Sequence, residues 1–329
     1  MGDPMGDPSG GTETFVAPDS LVAPGGTTGD GFMAPVQPGQ PYGYDPFVAG
    51  QPRGGPYGGF PGAAHGVGPN GPQPYRYGWT SRYEYAYLSS TSLNSALGDL
   101  EWNEFNAEWE YTSPSPWGKI YSVTPQFGLR SGDLPGGDSW FRFGLDLEAV
   151  TPTQGPWSFL LAFNPSINSD LDRNLSTEAW QFDSHGMIFY QSNPYLTWVA
   201  GAGFWDRVED RVIPYAGFIF VPDDHWELRL VLPEPRISHF LGVPWGLATW
   251  AYVRAEYHVE SYEANLEGAY GKRQVQIEDG RLMGGFRFDS GCCAAFVEAG
   301  WVFEREFQVR DFHEIDLSDA FMARAGVRY

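Results

Sequence analysis

From about residue 79 to the last residue, apolar and polar side chains alternate with a period of two, and no stretch shows a helical period. Phe105, Ala107, Trp109 and Tyr111 interleave with Asn106, Glu108 and Glu110. Phe141, Phe143, Leu145, Leu147 and Ala149 interleave with Arg142, Gly144, Asp146 and Glu148. Leu196, Trp198, Ala200, Ala202 and Phe204 form one face of a later run, and Leu247 to Val259 alternates with Arg254, Glu256 and His258 on its polar face. The pattern predicts an all-β domain of about fourteen strands (12–14), near 79–89, 100–112, 118–130, 139–150, 156–165, 179–191, 195–205, 211–221, 225–232, 236–241, 247–260, 274–289, 294–306 and 318–329. Several of these runs exceed the five or six residues usual in a globular sheet and suit a tilted membrane span of about 9–11 residues.

The connections sort by parity. Odd-numbered gaps reach thirteen residues, as in 166–178 and 261–273, whereas even-numbered gaps never exceed five. Long loops on one rim and tight turns on the other are the habit of transmembrane β-barrels, and an even strand count returns both ends to the turn rim.

Composition separates off the first 74 residues, which hold 19 Gly and 14 Pro; the other 255 hold 23 and 13. Such a segment buries too little apolar surface to offset chain entropy. Residues 1–74 therefore read as a disordered Pro/Gly-rich segment and 75–329 as the barrel domain. Loose repeats such as Phe15-Val16-Ala17-Pro18, Leu21-Val22-Ala23-Pro24 and Phe32-Met33-Ala34-Pro35 suit a spacer, or short motifs that dock to a partner or the cell wall. The first residues, Met1-Gly2-Asp3-Pro4 and Met5-Gly6-Asp7-Pro8, have no basic segment followed by an apolar one, so no signal peptide is visible in this chain.

The net charge of −21 disfavours a nucleic-acid partner. No window approaches eighteen consecutive apolar residues, which excludes a transmembrane helix but not a barrel. If apolar faces meet lipid, charges belong in the lumen, because Arg or Lys on the lipid face costs roughly 2–4 kcal/mol at mid-depth. The lumen-lining candidates are Arg142, Asp146, Glu148, Asp183, His185, Glu227, Arg229, Arg254, Glu256, His258, Arg287, Glu298 and Arg324, with Glu304 and Arg328 of the same kind. They line a wet pore or form a ladder that plugs it. Nine of the thirteen Trp fall within two residues of an expected strand end. Trp79, Trp140, Trp157, Trp180, Trp205 and Trp226 are the candidates for an aromatic belt where hydrocarbon meets headgroup.

The closing segment Phe321, Ala323, Ala325, Val327 and Tyr329, apolar at every second position and aromatic at the end, is similar to the C-terminal signal read by the barrel-assembly machinery. With the alternation over 75–329, the chain resembles a porin-like outer-membrane β-barrel of Gram-negative-type bacteria, in an uncharacterised barrel family. The hairpin from Pro214 through Trp226 to Pro233 shares that likeness. The resemblance implies bacterial outer-membrane lipid and the assembly machinery as partners, with passive transport or a structural envelope role. The rival readings are a soluble all-β surface or matrix binding protein and, behind it, an envelope hydrolase.

Enzyme chemistry finds little footing. There is no Gly-x-Ser-x-Gly elbow, no His-Glu-x-x-His and no phosphate-binding glycine loop. His225 beside Asp223 and Asp224, or His313 beside Asp311 and Glu314, reads more simply as a polar turn. Asp170, Asp172, Asp206, Glu209 and Asp210 read as solvated loop acids rather than a Ca²⁺ site. Cys292 and Cys293, the only two cysteines, read as a turn with two thiols. No cofactor, metal or catalytic residue is expected.

Overall fold

The structure is a computed structural model. It describes residues 78–94, 98–115, 119–151, 156–172, 174–193, 195–223, 225–266, 271–290, 293–312 and 314–329, with an isolated ladder of Val67–Gly68 and Gly71–Pro72. That ladder apart, the segment 1–74 lies outside the described residues.

Fourteen strands make one wall, each antiparallel to its neighbours: β1 Gly78–Asn94, β2 Gly98–Pro114, β3 Ile120–Leu134, β4 Gly137–Val150, β5 Trp157–Ser169, β6 Trp180–Asn193, β7 Leu196–Trp205, β8 Arg211–Phe220, β9 Trp226–Val231, β10 Arg236–Gly242, β11 Ala248–Leu266, β12 Gly271–Asp289, β13 Ala294–Val309 and β14 Ala320–Arg328. A short piece, Ile315–Leu317, runs beside β13 ahead of β14. β14 pairs onto β1, with Val327 opposite Tyr83, and the sheet closes on itself without an edge. Every expected strand is present, the short 236–241 run included.

Alternation decides which side chain faces where. The outer surface carries Tyr85, Phe105, Phe143, Leu161, Phe182, Ile188, Val253 and Phe286, all exposed. The inner positions of the same strands are Glu84, Glu104, Arg142, Ala162, Asp183, Met187, Arg254 and Arg287, all buried. This inverts the arrangement of a water-soluble sheet. Cross-strand aromatic pairs sit at both ends of the outer surface: Trp79 with Tyr111 at 5.2 Å and Trp157 with Tyr190 at 4.5 Å on one rim, Trp301 with Phe321 at 5.7 Å toward the other. On β6 the outward positions run from Trp180 to Tyr190. Ten residues rising ~3.3 Å each and tilted about 40° span roughly 25 Å, the height of a membrane-barrel apolar band. The fold is a single transmembrane-type β-barrel with aromatic belts.

Two expectations change. The long connections 90–99, 131–138 and 261–273 are largely strand: β1 runs to Asn94 and β2 begins at Gly98, β3 runs to Leu134 and β4 begins at Gly137, and β11 runs to Leu266 and β12 begins at Gly271. The difference between the rims lies in wall height. β1 and β2 are 17 residues long, and β11 and β12 are 19; β7 and β8 have 10, β9 has 6 and β10 has 7. Backbone amides shielded from water need partners, and extending the ladder supplies them.

The tall part does not stand upright. A strand in the wall has one face exposed, yet from His258 to Ala264 both faces of β11 are buried, as are both faces of β12 from Gln274 to Ile277. Above Tyr257, β11 outruns β10, and its backbone reaches β5 instead: Glu263 pairs in parallel with Ser169, and Asp170 N–H donates to Glu263 O at 3.0 Å. The top of the β11–β13 sheet thus curls across the mouth of the barrel.

Candidate functional site

Among the described residues, charged side chains converge in the interior, and the structure turns all thirteen lumen candidates inward by register. Arg254, Glu256 and His258 occupy successive inward positions of β11, opposite Met283, Arg281 and Asp279 of β12. Glu298 on β13 lies opposite Arg324 on β14. Period-two placement therefore stacks the charge of four strands into one column.

The column is continuous. Arg254 donates from Nη2 to Glu298 Oε1 at 2.8 Å and from Nε to Oε2 at 3.1 Å, and it also pairs with Glu256. Arg324 approaches Glu298 at 3.4 Å and Glu256 at 3.6 Å. Arg281 links Glu256 at 3.6 Å to Asp279 at 2.6 Å. His258 stands between Asp279 (3.4 Å) and Glu260 (3.6 Å). Glu260 then crosses the lumen to Arg130 on β3, which also holds Glu104 on β2 at 3.0 Å. The Arg130 guanidinium lies 4.7 Å from the Trp102 ring centroid and 5.4 Å from that of Tyr262.

The column is dry. Arg254 and Arg130 are 1% exposed, Arg281 2% and Glu256 4%. Charges this dry must be neutralised by opposite charge and hydrogen bonds.

Two apolar clusters flank the column. One joins Leu88, Trp102 and Trp140 of β1, β2 and β4 to Tyr262, Ile277 and Phe307 of the curled sheet. The other packs Leu160, Met187, Phe189, Val199 and Ile219 toward the turn rim between β5 and β8. On the far side of the curled sheet most contacts are polar, although Val259 packs with Trp205 and Ile213. Arg207 donates to Val259 O at 3.0 Å and grips both Asp183 oxygens at 2.8 and 3.1 Å. Gln181 donates to Ser261 O at 2.6 Å, and Asn168 to the same oxygen at 3.1 Å.

The remaining candidates are placed as follows. Arg236 pairs with Glu227 at 3.1 Å and Arg229 with Glu227 at 3.5 Å. Arg287 lies over Trp250, and His185 stacks on Tyr215 at 5.4 Å. Glu304 is corrected: it is exposed, with φ 49°, because a register shift between Glu278 and Gly280 on β12 breaks the alternation opposite it. Of the belt candidates, Trp79, Trp157, Trp180 and Trp226 are on the outer surface. Trp140 and Trp205 are corrected, since both are buried inside. Each shares the parity of inward residues, Trp140 with Arg142 and Trp205 with Gly203, and parity outranks nearness to a strand end. Phe321 and Tyr329 of the closing segment are exposed on the outer face.

Arg130, Glu104, Glu260, Asp279, Arg281 and Arg207 were missed as site residues. Five of them lie on the polar face of an alternating run and could have been found by carrying the parity further. Arg207 sits in a connection and carried no such signal.

The polar turns have structural uses. Asp223 accepts from the backbone N–H of His225 (2.8 Å) and Trp226 (2.9 Å), while His313 and Asp224 lie outside the described residues. Asp170 and Asp172 accept from Asn265, each at 2.6 Å. No group of three or more metal-ligating side chains occurs among the described residues. The Ser290 N–H donates to Cys293 O at 2.9 Å.

No protein-family model matches the sequence, and no curated protein does. Solved structures do. The toluene transporter TodX of Pseudomonas putida is similar over 77% of this chain and 90% of its own, at 6% identity and TM-score 0.36. LpxR from Salmonella typhimurium is similar over 75% and 99%, at 7% identity and TM-score 0.33. The translocator domain of the autotransporter NalP from Neisseria meningitidis is similar over 78% and 89%, at 8% identity and TM-score 0.31.

Proposed function

We propose that this chain is a bacterial outer-membrane β-barrel whose lumen is held closed, a structural envelope barrel rather than an open porin. One observation carries the reading: the arginines and carboxylates of the central column are 1–8% exposed and paired across the barrel. Fourteen strands enclose more room than eight, the number that side chains just fill. The curled β11–β13 sheet takes up the excess. The exposed outer band calls for lipid, and the segment Phe321, Ala323, Ala325, Val327 and Tyr329 suits recognition by an assembly machinery. Heat-modifiable gel migration and a need for detergent test the membrane placement; a monomer folded in plain buffer would refute it. Liposome swelling in arabinose tests closure. No swelling is expected, and porin-like swelling rates would overturn the closed reading.

A further inference from the structure

The interior has one line along which its packing is polar from rim to rim. Near the tall rim it starts where Asn168 and Gln181 meet Ser261 on the curled sheet. Ser166 lies opposite Gln181, and Asn164 opposite Asp183. Asn164 passes the line to β3 and β4, donating to Gln126 Oε1 at 3.2 Å and accepting from Arg142 at 3.1 Å. Below them Asp146 lies opposite Thr124 and Glu148 opposite Ser122, and Ser122 meets Thr112 at 3.0 Å, oxygen to oxygen, near the turn rim. The two apolar clusters lie on either side and do not interrupt it.

Along this line the hydrogen bonds are incomplete. Asn168 Oδ1, Ser166 Oγ, His185 Nε2, Gln126 Nε2, Asp146 Oδ1 and Glu148 Oε1 are buried atoms without a hydrogen-bond partner in the protein. Serine and glutamine could turn to find one. Ionised, Asp146 and Glu148 are acceptors only, while Arg207 pairs with Asp183 and Arg142 donates to Gln126 and Asn164. A buried polar atom left alone is costly, and a run of them along neighbouring strands makes a place for water. Acceptor oxygens favour a cation over an anion.

We propose that this seam is a narrow hydrated conduit for small monovalent cations, running between the curled sheet and the β3–β6 wall. The inference rests on the membrane-barrel reading and refines it: porin-sized solutes stay out while water and small cations pass. The seam is also the weaker side of the closure. A hydrogen bond contributes less to the closure than a buried large apolar side chain does. Any widening would thus occur on the seam, with the curled sheet still attached to β1–β4.

The test uses the full chain carrying Cys292→Ser and Cys293→Ser, refolded into liposomes, with heat-modifiable migration scored first. A protein that does not insert refutes the membrane reading, not the seam. In inserted protein, Ser166→Cys should react with a small cationic methanethiosulfonate reagent, whereas Ala264→Cys, in the apolar cluster, should not. Potassium flux should be measurable in the parent, lost on modification of Ser166→Cys, and reduced in selectivity over chloride in Glu148→Gln. An inserted barrel whose Ser166→Cys stays unreactive overturns the proposal. So does a reactive one that passes no potassium, and so does flux that modification leaves unchanged.

Discussion

The two faces of the β11 segment from His258 to Leu266 meet the barrel by different means. Its even-numbered face carries Glu260 onto Arg130 and packs Tyr262 against Trp140, ring centroids 5.0 Å apart. Its odd-numbered face reaches β5, β6 and the loop after β7 through Ser261, Glu263 and the carbonyl of Val259. One side is chiefly apolar surface and buried charge; the other is chiefly hydrogen bonds, with Val259 packed on Trp205 and Ile213 and Glu263 paired with Lys272. The difference teaches that a strand leaving the wall needs two solutions, one to hold it and one to satisfy its open edge. Gln181, Asn168 and Arg207 stand in for the missing neighbour strand.

Trp140→Ala should break the holding face most severely. Loss of a buried indole costs about 3–5 kcal/mol, readable as a lower urea midpoint in detergent micelles. Glu260→Ala leaves Arg130 buried with Glu104 alone, and a broken buried pair also costs about 3–5 kcal/mol. That loss should persist in high salt, because the pair is dry. Phe143→Arg probes the outer wall rather than the closure and should cost about 2–4 kcal/mol of insertion. Unaltered membrane yield would mean the faces are assigned backwards. Gln181→Ala should be mildest, about 1–2 kcal/mol for the carbonyl and hydroxyl of Ser261 left short of a donor. Should Gln181→Ala match Trp140→Ala in the same urea series, the two faces would not differ as described.

Much of this was legible in the alternation. The parity of Arg142, Asp146 and Glu148 on β4, or Arg254, Glu256 and His258 on β11, directly gives their inward placement. The misplacement of Trp140 and Trp205 came from weighing strand ends above parity, and that of Glu304 from a bulge that no period announces. The wall heights were not legible, because 261–266 and 90–94 read as loop when their pairing partners are unknown. Gly136 shows why: its φ of 86° serves the tight β3–β4 turn, yet a Cβ there would also meet Asn265 O at 2.9 Å. Only the curl of β11 over the mouth brings those two residues together.

The sequence by itself determined an all-β chain, its fourteen strands, and which residues face lipid and which face inward, because a pleated strand turns alternate side chains to opposite sides whatever lies beyond it. Only the tertiary structure decided how the inward charges are paired. Whether Arg130 is solvated by water or by Glu260, 130 positions away, depends on strand heights, register and the lean of one sheet across the mouth. Those are long-range pairings, and no local pattern encodes them.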